Sequence, residues 1–222
     1  MSSTESGWLR EESHSRCTAQ GTTENREILL RNSTTHSPPS EKDLADAIEE
    51  AAGRAIAALF SEHPSEHFYY CALITSGEAH SPTLTAWSTE ALDRELQQSK
   101  SPEEARWWLE WSYGESPYFC SGQEHFERVN RLFSERPPID ARRMSEAEIE
   151  SEFQLRIRSM ETAMSTLDSR GLFGSGPRRL EIVVNVEVMP PDFGNTERAL
   201  RLNPLAAIEK WLKEVAEPSP GR

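Results

Sequence analysis

Phe68-Tyr69-Tyr70-Cys71-Ala72-Leu73-Ile74-Thr75 is the stretch from which the fold can be read. In an extended chain Phe68, Tyr70, Ala72 and Ile74 fall on one face, and Tyr69, Cys71 and Leu73 on the other. Both faces are mostly apolar, so the strand is expected at the centre of a sheet with a covering layer on each side. Downstream, Ser76-Gly77-Glu78 begins a turn into Thr83–Trp87, a partner strand that the short connection makes antiparallel. Upstream, Ser40 can cap a helix through the backbone N–H of Asp43, with acidic residues in its first turn. Leu44, Ile48, Ala52, Ile56, Leu59 and Phe60 recur along it at helical spacing, and Pro64 requires it to stop.

Further out, Ser88 or Thr89 can cap a helix over Glu90–Gln98, and a short helix over Glu103–Trp111 follows Pro102. Phe126, Val129, Leu132 and Phe133 indicate another, ending before Pro137-Pro138. Ser145 with Glu148 makes a capping box for a long helix striped by Ile149, Phe153, Ile157, Met160, Met164 and Leu167 and closed by Gly171. Leu180, Ile182, Val184, Val186 and Val188 then alternate with Glu181, Val183, Asn185 and Glu187, which reads as a half-buried strand with a wet outer face. Asn203-Pro204 opens a last helix over Pro204–Ala216. The expected fold is α+β: a small, mainly antiparallel sheet packed by several helices, forming one domain over residues 41–218.

Residues 1–40 are rich in Ser, Thr, Glu and Arg and are expected to be a disordered polar tail, since they bury too little to offset their ordering entropy. The net charge of the 222-residue chain is −13. Residues 1–40 hold four Arg and five Glu, so nearly all of this charge belongs to the folded part. Such a field repels nucleic-acid phosphates and anionic lipid, which argues against both as partners. It serves solubility, and it also favours encounter with a basic protein. Cys17, Cys71 and Cys120 are too few and too widely spaced for a disulfide scaffold or a zinc cluster. No secretion signal and no run of about 20 apolar residues is present. These features predict a cytoplasmic protein in a reducing compartment.

Chemical motifs are weak throughout. His63-Pro64-Ser65-Glu66-His67 matches H-x-x-E-H, but Pro64 and the helix-to-strand context keep the two imidazoles off one helical face, so a solvated connector is expected. Gly171-Leu172-Phe173-Gly174-Ser175-Gly176 follows a helix and precedes a strand, the reverse of a phosphate cradle, and reads as a helix cap and turn with Phe173 in the core. Glu181, Asn185 and Glu187 could form an acid–base pair only in a dry cleft. No catalytic residue, metal ligand or cofactor is predicted. Trp107, Trp108 and Trp111 form a dense cluster, with Glu103, Glu104, Glu110, Glu115 and Glu124 around it in sequence. They read as core packing, or as an interface anchored by an exposed ring with an acidic rim.

Several stretches together resemble a known family. They are Ile56-Ala57-Ala58-Leu59-Phe60, Phe68 to Leu73, Thr89-Glu90 before Leu92, Arg106-Trp107, Glu110-Trp111, Tyr113, Leu167-Asp168-Ser169-Arg170-Gly171-Leu172-Phe173-Gly174 and Leu202-Asn203-Pro204. In order and spacing they resemble the bacterial family catalogued as domain of unknown function 4303, across residues 41–216. The resemblance implies a small bacterial cytosolic protein, of a kind encoded near polymorphic or contact-dependent toxins. It implies no reaction and no catalytic residue. The leading expectation is an immunity protein that occludes a cognate, basic toxin. The alternatives are an enzyme whose site forms only in the fold, with His63, His67 and His125 as candidates, and a regulatory protein-binding adaptor.

Overall fold

The structure, a computed structural model, describes residues 37–219 and 221. All but the last four residues of the expected polar tail therefore lie outside the described residues. The elements run in the order α1 (Glu41–Glu62), β1 (Phe68–Ser76), β2 (Thr83–Ser88), α2 (Thr89–Gln98), α3 (Pro102–Leu109), a 3-10 turn (Gln123–Phe126), α4 (Glu127–Ser134), α5 (Glu146–Ser169), a second 3-10 turn (Gly176–Glu181), β3 (Val183–Met189), α6 (Phe193–Leu202) and α7 (Leu205–Glu214).

The expected Ser40 cap and Ser145 capping box both form, and Asp43 completes a capping box at Ser40 as well. The Ser40 hydroxyl accepts from the Asp43 N–H and the Ser145 hydroxyl from the Glu148 N–H, while each acidic side chain accepts from its cap's N–H. Helix α5 closes as the sequence predicts, with Gly171 at φ 81°. The Gly171 N–H reaches the Asp168 carbonyl at 2.8 Å and the Leu172 N–H reaches Leu167 at 3.1 Å. That is the paired closure for which a left-handed glycine is favoured. Phe173 is buried in the core just beyond it.

The sheet order is β2-β1-β3, so β1 is central as expected. β1 and β2 are antiparallel, whereas β3 runs parallel to β1, with Tyr70 opposite Val183 and Ile74 opposite Glu187. Hence Tyr70, Ala72, Ile74, Val183, Asn185 and Glu187 share one face. Cys71 lies on the opposite face, wholly buried, and burial pushes its thiol up to about 12, so it packs as a small apolar group.

β3 departs from the expected half-wet strand. Val183 to Val188 are all buried, Asn185 and Glu187 among them, while Leu180 and Glu181 are exposed, in the 3-10 turn before the strand. The reason is a covering element absent from the sequence reading. Asp192 caps α6 through the Gly194 N–H, and α6 packs along the outer edge of β3. Side chains of α6 and of its C-cap, Asn203, stand in for a fourth strand. Asn203 accepts from the Val184 N–H at 2.8 Å and donates to the Val184 carbonyl at 2.6 Å. Asn195 makes the same pair with Val188 at 2.8 and 3.1 Å. Between them the Arg198 guanidinium donates to the Val186 carbonyl at 2.7 Å.

The opposite edge is closed by the segment after α3. The Cys120 N–H donates to the Leu84 carbonyl at 2.9 Å and the Ser116 hydroxyl donates to the Ala86 carbonyl. Gly122 holds this segment against α1, where a Cβ would lie 2.4 Å from that of Ala55. Closing both edges removes the open ladder on which another chain could add a strand.

This arrangement makes Asn203 a stability residue. Its amide also donates to the Ala199 carbonyl and accepts from Arg179. Asn203→Ala leaves the Val184 groups unpaired beside a packed helix, and is expected to cost about 2–3 kcal/mol. Urea unfolding at neutral pH checks this. A loss below about 0.5 kcal/mol would show that water replaces the amide freely.

Candidate functional site

Helix α3 is short, and Pro102 begins it without a side-chain cap. It buries Ala105 and Leu109 and turns Trp107 and Trp108 outward, 85% and 51% exposed. Trp111 lies past the end of α3 and turns inward. Its ring meets Tyr69 and Tyr70 edge-on at 5.4 and 5.9 Å, and its indole N–H donates to Glu214 at 2.8 Å. The tryptophan cluster thus divides between the two readings the sequence offered, one ring half-buried against the sheet and two in water.

All three rings line one groove of about 460 Å³, joined by the buried Trp211 of α7. Glu187 of β3 also lines it, as do Glu214 and Glu217 on α7 and the segment that follows. The Glu217 carbonyl accepts from the Thr196 hydroxyl at 3.1 Å, which ties that segment to α6.

Glu187 sets the chemistry of this groove. Burial pushes its carboxyl above the ordinary glutamic range, although Tyr70, Asn185 and the nearby Arg198 charge pull the other way. Asn185 donates to it at 3.1 Å, and no ion pair reaches it among the described residues. The Tyr70 hydroxyl faces the same carboxyl closely enough for each to perturb the other, yet it makes no hydrogen bond of normal geometry. Tyr70 is wholly buried, so Glu187 is the polar group that its hydroxyl faces in the protein interior.

The acidic residues expected to rim the cluster do not act as one group. Glu110 is half-buried, paired with Lys210, and belongs to a second, larger groove of about 1010 Å³. That groove also holds Arg106, Lys210 and Lys213, so its carboxylates have basic neighbours. Glu103, Glu104, Glu115 and Glu124 are exposed and line neither groove. Glu124 sits on the first 3-10 turn, which packs on α1. Among the glutamates singled out in sequence, Glu187 is the one placed with all three tryptophans, and its alternating pattern gave it the opposite assignment.

The histidine connector is also less open than expected. Glu66 is buried beneath it, accepting from the Tyr118 hydroxyl at 2.5 Å, from Arg94 at 2.8 Å and from the Ser88 hydroxyl. Burial alone would raise its pKa, but these three donors outweigh it and hold the carboxyl below the ordinary range. His63 stands 3.6 Å from Glu66, while His67 turns to Glu90 at 2.6 Å. The imidazoles do not converge. Among the described residues no three His, Cys, Asp or Glu side chains are placed to hold a metal ion, and no helix is long and apolar enough to cross a membrane. Neither groove is lined by a histidine.

Fold and groove together define an α+β protein with a small mixed sheet, closed sheet edges and an acid-lined tryptophan groove. The chain belongs to the family described as a domain of unknown function, DUF4303, whose pattern matches residues 48–204. No curated protein and no solved structure matches it.

Proposed function

We propose that this chain is an immunity protein, acting in the bacterial cytoplasm by binding a cognate, basic toxin and covering its active surface. The observation that carries the reading is the exposure of Trp107 and Trp108 beside a groove lined by Glu187, Glu214 and Glu217. Large aromatic rings left in water on a short helix are costly unless something covers them, and tryptophan is the residue most enriched among interface anchors. The net charge of −13 supplies the long-range attraction for a basic partner. With both sheet edges closed, docking falls to side chains rather than to strand addition.

The direct test is co-expression with the product of each adjacent reading frame. At least one should arrest growth alone and lose that effect when this chain is present, with the two proteins co-purifying. Failure to rescue cells from every toxic neighbour would defeat the proposal.

One observation favours a second reading, an enzyme whose site forms only in the fold. Glu187 is a buried carboxyl facing the Tyr70 phenol at a groove, an environment in which a general acid can work. Turnover of a small substrate by the purified chain, abolished by Glu187→Gln, would replace the docking reading with this one.

A further inference from the structure

The tryptophan groove is more selective in its chemistry than an apolar patch. Its lining includes four tryptophans and three glutamates, and no lysine, arginine or histidine. The larger groove behaves differently, because Lys210 pairs there with Glu110 and its Nζ stands 5.8 Å over the Trp111 ring. Trp111 and Glu214 line both grooves, so Lys210, 4.0 Å from Glu214, already occupies that shared wall; no lysine, arginine or histidine lines the rest of the smaller groove, where Trp107, Trp108 and Glu187 stand.

Two polar groups at this groove are short of partners. Glu187 has a single side-chain donor of normal geometry, Asn185, against roughly four acceptor positions on a carboxylate. Tyr70, behind it, has none. We propose that the groove receives the guanidinium of an arginine side chain, stacked on tryptophan and hydrogen-bonded to Glu187. The source of that arginine rests on the docking reading above; the chemistry of the groove does not.

Other cations fit less well. A quaternary ammonium would satisfy the rings but can donate nothing to Glu187. A lysine ammonium is compact and strongly hydrated, and gives up more solvation on entering an aromatic groove. A guanidinium is planar, weakly hydrated and carries five donors, so one group can stack and also pair with the carboxylate. Ionising Glu187 against it also strengthens the acceptor that the Tyr70 hydroxyl already faces. The groove's volume of about 460 Å³ suits a side chain of that size with room for its stem.

The test uses the full chain and needs no partner. Arginine amide, lysine amide and tetramethylammonium are titrated separately against tryptophan fluorescence, with calorimetry as a second readout. Arginine amide should bind saturably in about the millimolar range, at least about tenfold tighter than the other two. Glu187→Gln should weaken it about tenfold. Because Glu187 is buried, Trp108→Ala, at an exposed position, serves as the second variant and should weaken it similarly. No saturable response, equal binding of tetramethylammonium, or indifference to both substitutions would overturn the proposal. If arginine amide fails while a co-expressed partner still binds, the arginine anchor falls and docking stands. If arginine amide binds in this way and no neighbouring product does, the anchor stands and docking falls.

Discussion

Glu152→Gln should lower the unfolding free energy by about 3–5 kcal/mol at neutral pH, the largest stability loss expected from any single isosteric change in this chain. Glu152 lies on α5 between two arginines, and all three side chains are 9% exposed or less. The Arg136 and Arg156 Nε–H groups each donate to its carboxylate at 2.7 Å. The arginines also donate outward, Arg156 to the carbonyls of Pro137 at 2.6 Å and Ala79 at 3.3 Å, and Arg136 to that of Pro39. The triad therefore clamps the entry to α1, the turn after β1 and the segment after α4 to α5. Gln keeps the volume but removes the one negative charge between two buried cations, and its NH₂ must face an arginine donor.

The pH dependence has a defined sign. Burial raises the Glu152 carboxyl, but the two arginines outweigh it and hold it below 4.5 in the folded state. A depressed folded pKa contributes stability that is present above about 4.5 and is lost as pH falls through the folded value. The gap between parent and Glu152→Gln should therefore narrow in acid. Urea unfolding at neutral pH and again near pH 3 would show it. A neutral-pH loss under about 1 kcal/mol, or a gap that does not change with pH, would contradict the clamp. Replacing the whole triad with apolar residues is not expected to be neutral here, because the three outward carbonyls would lose their donors.

What the sequence made legible was local. Ser40 and Ser145 carry their helix caps within four residues, Gly171 marks its own helix end, and the two apolar faces of Phe68–Thr75 place that strand at the centre. What escaped was whatever depends on a covering layer. Alternation at period two says that Asn185 and Glu187 share a face, but not that α6, α7 and Trp111 cover it. Helix α6 itself was missed, because its buried side includes Asn195, Thr196 and Arg198, polar residues that serve the β3 edge. The sign that could have found it is Asp192 placed before Phe193 as an N-cap. For the same reason the Trp107–Trp111 spacing misled: α3 stops at Leu109, so helical geometry does not apply to Trp111. The triad has no compositional signature, since a Glu and an Arg four apart on a helix are more often a solvated pair.

Replacing both Trp107 and Trp108 with Ala should weaken partner binding by about 100- to 1000-fold, some 3–4 kcal/mol, while leaving the unfolding midpoint within about 0.5 kcal/mol of the parent. The two halves of this result follow from one fact. Exposed at 85% and 51%, these rings contribute little to the core, so truncating them removes contact area that matters only in a complex. Trp111→Ala should behave differently. It takes away an edge-on partner of Tyr69 and Tyr70, the ring beneath Lys210 and the hydrogen bond to Glu214, so it should destabilise the chain by about 2–4 kcal/mol as well as weaken binding. The comparison separates anchor from scaffold. Titration calorimetry against a partner recovered by the proposed co-expression test gives the affinity, and thermal melts of the same samples give the stability. If the double variant binds as tightly as the parent, the contact surface lies elsewhere. If it melts as Trp111→Ala does, the exposed rings are part of the core after all, and tryptophan exposure on α3 no longer supports docking. Salt adds an independent arm. Raising ionic strength should slow association of the parent, because the field of a −13 chain is screened within about 8 Å at 0.15 M. Loss of the rings should instead appear in the dissociation rate, since a desolvated aromatic contact forms only after encounter.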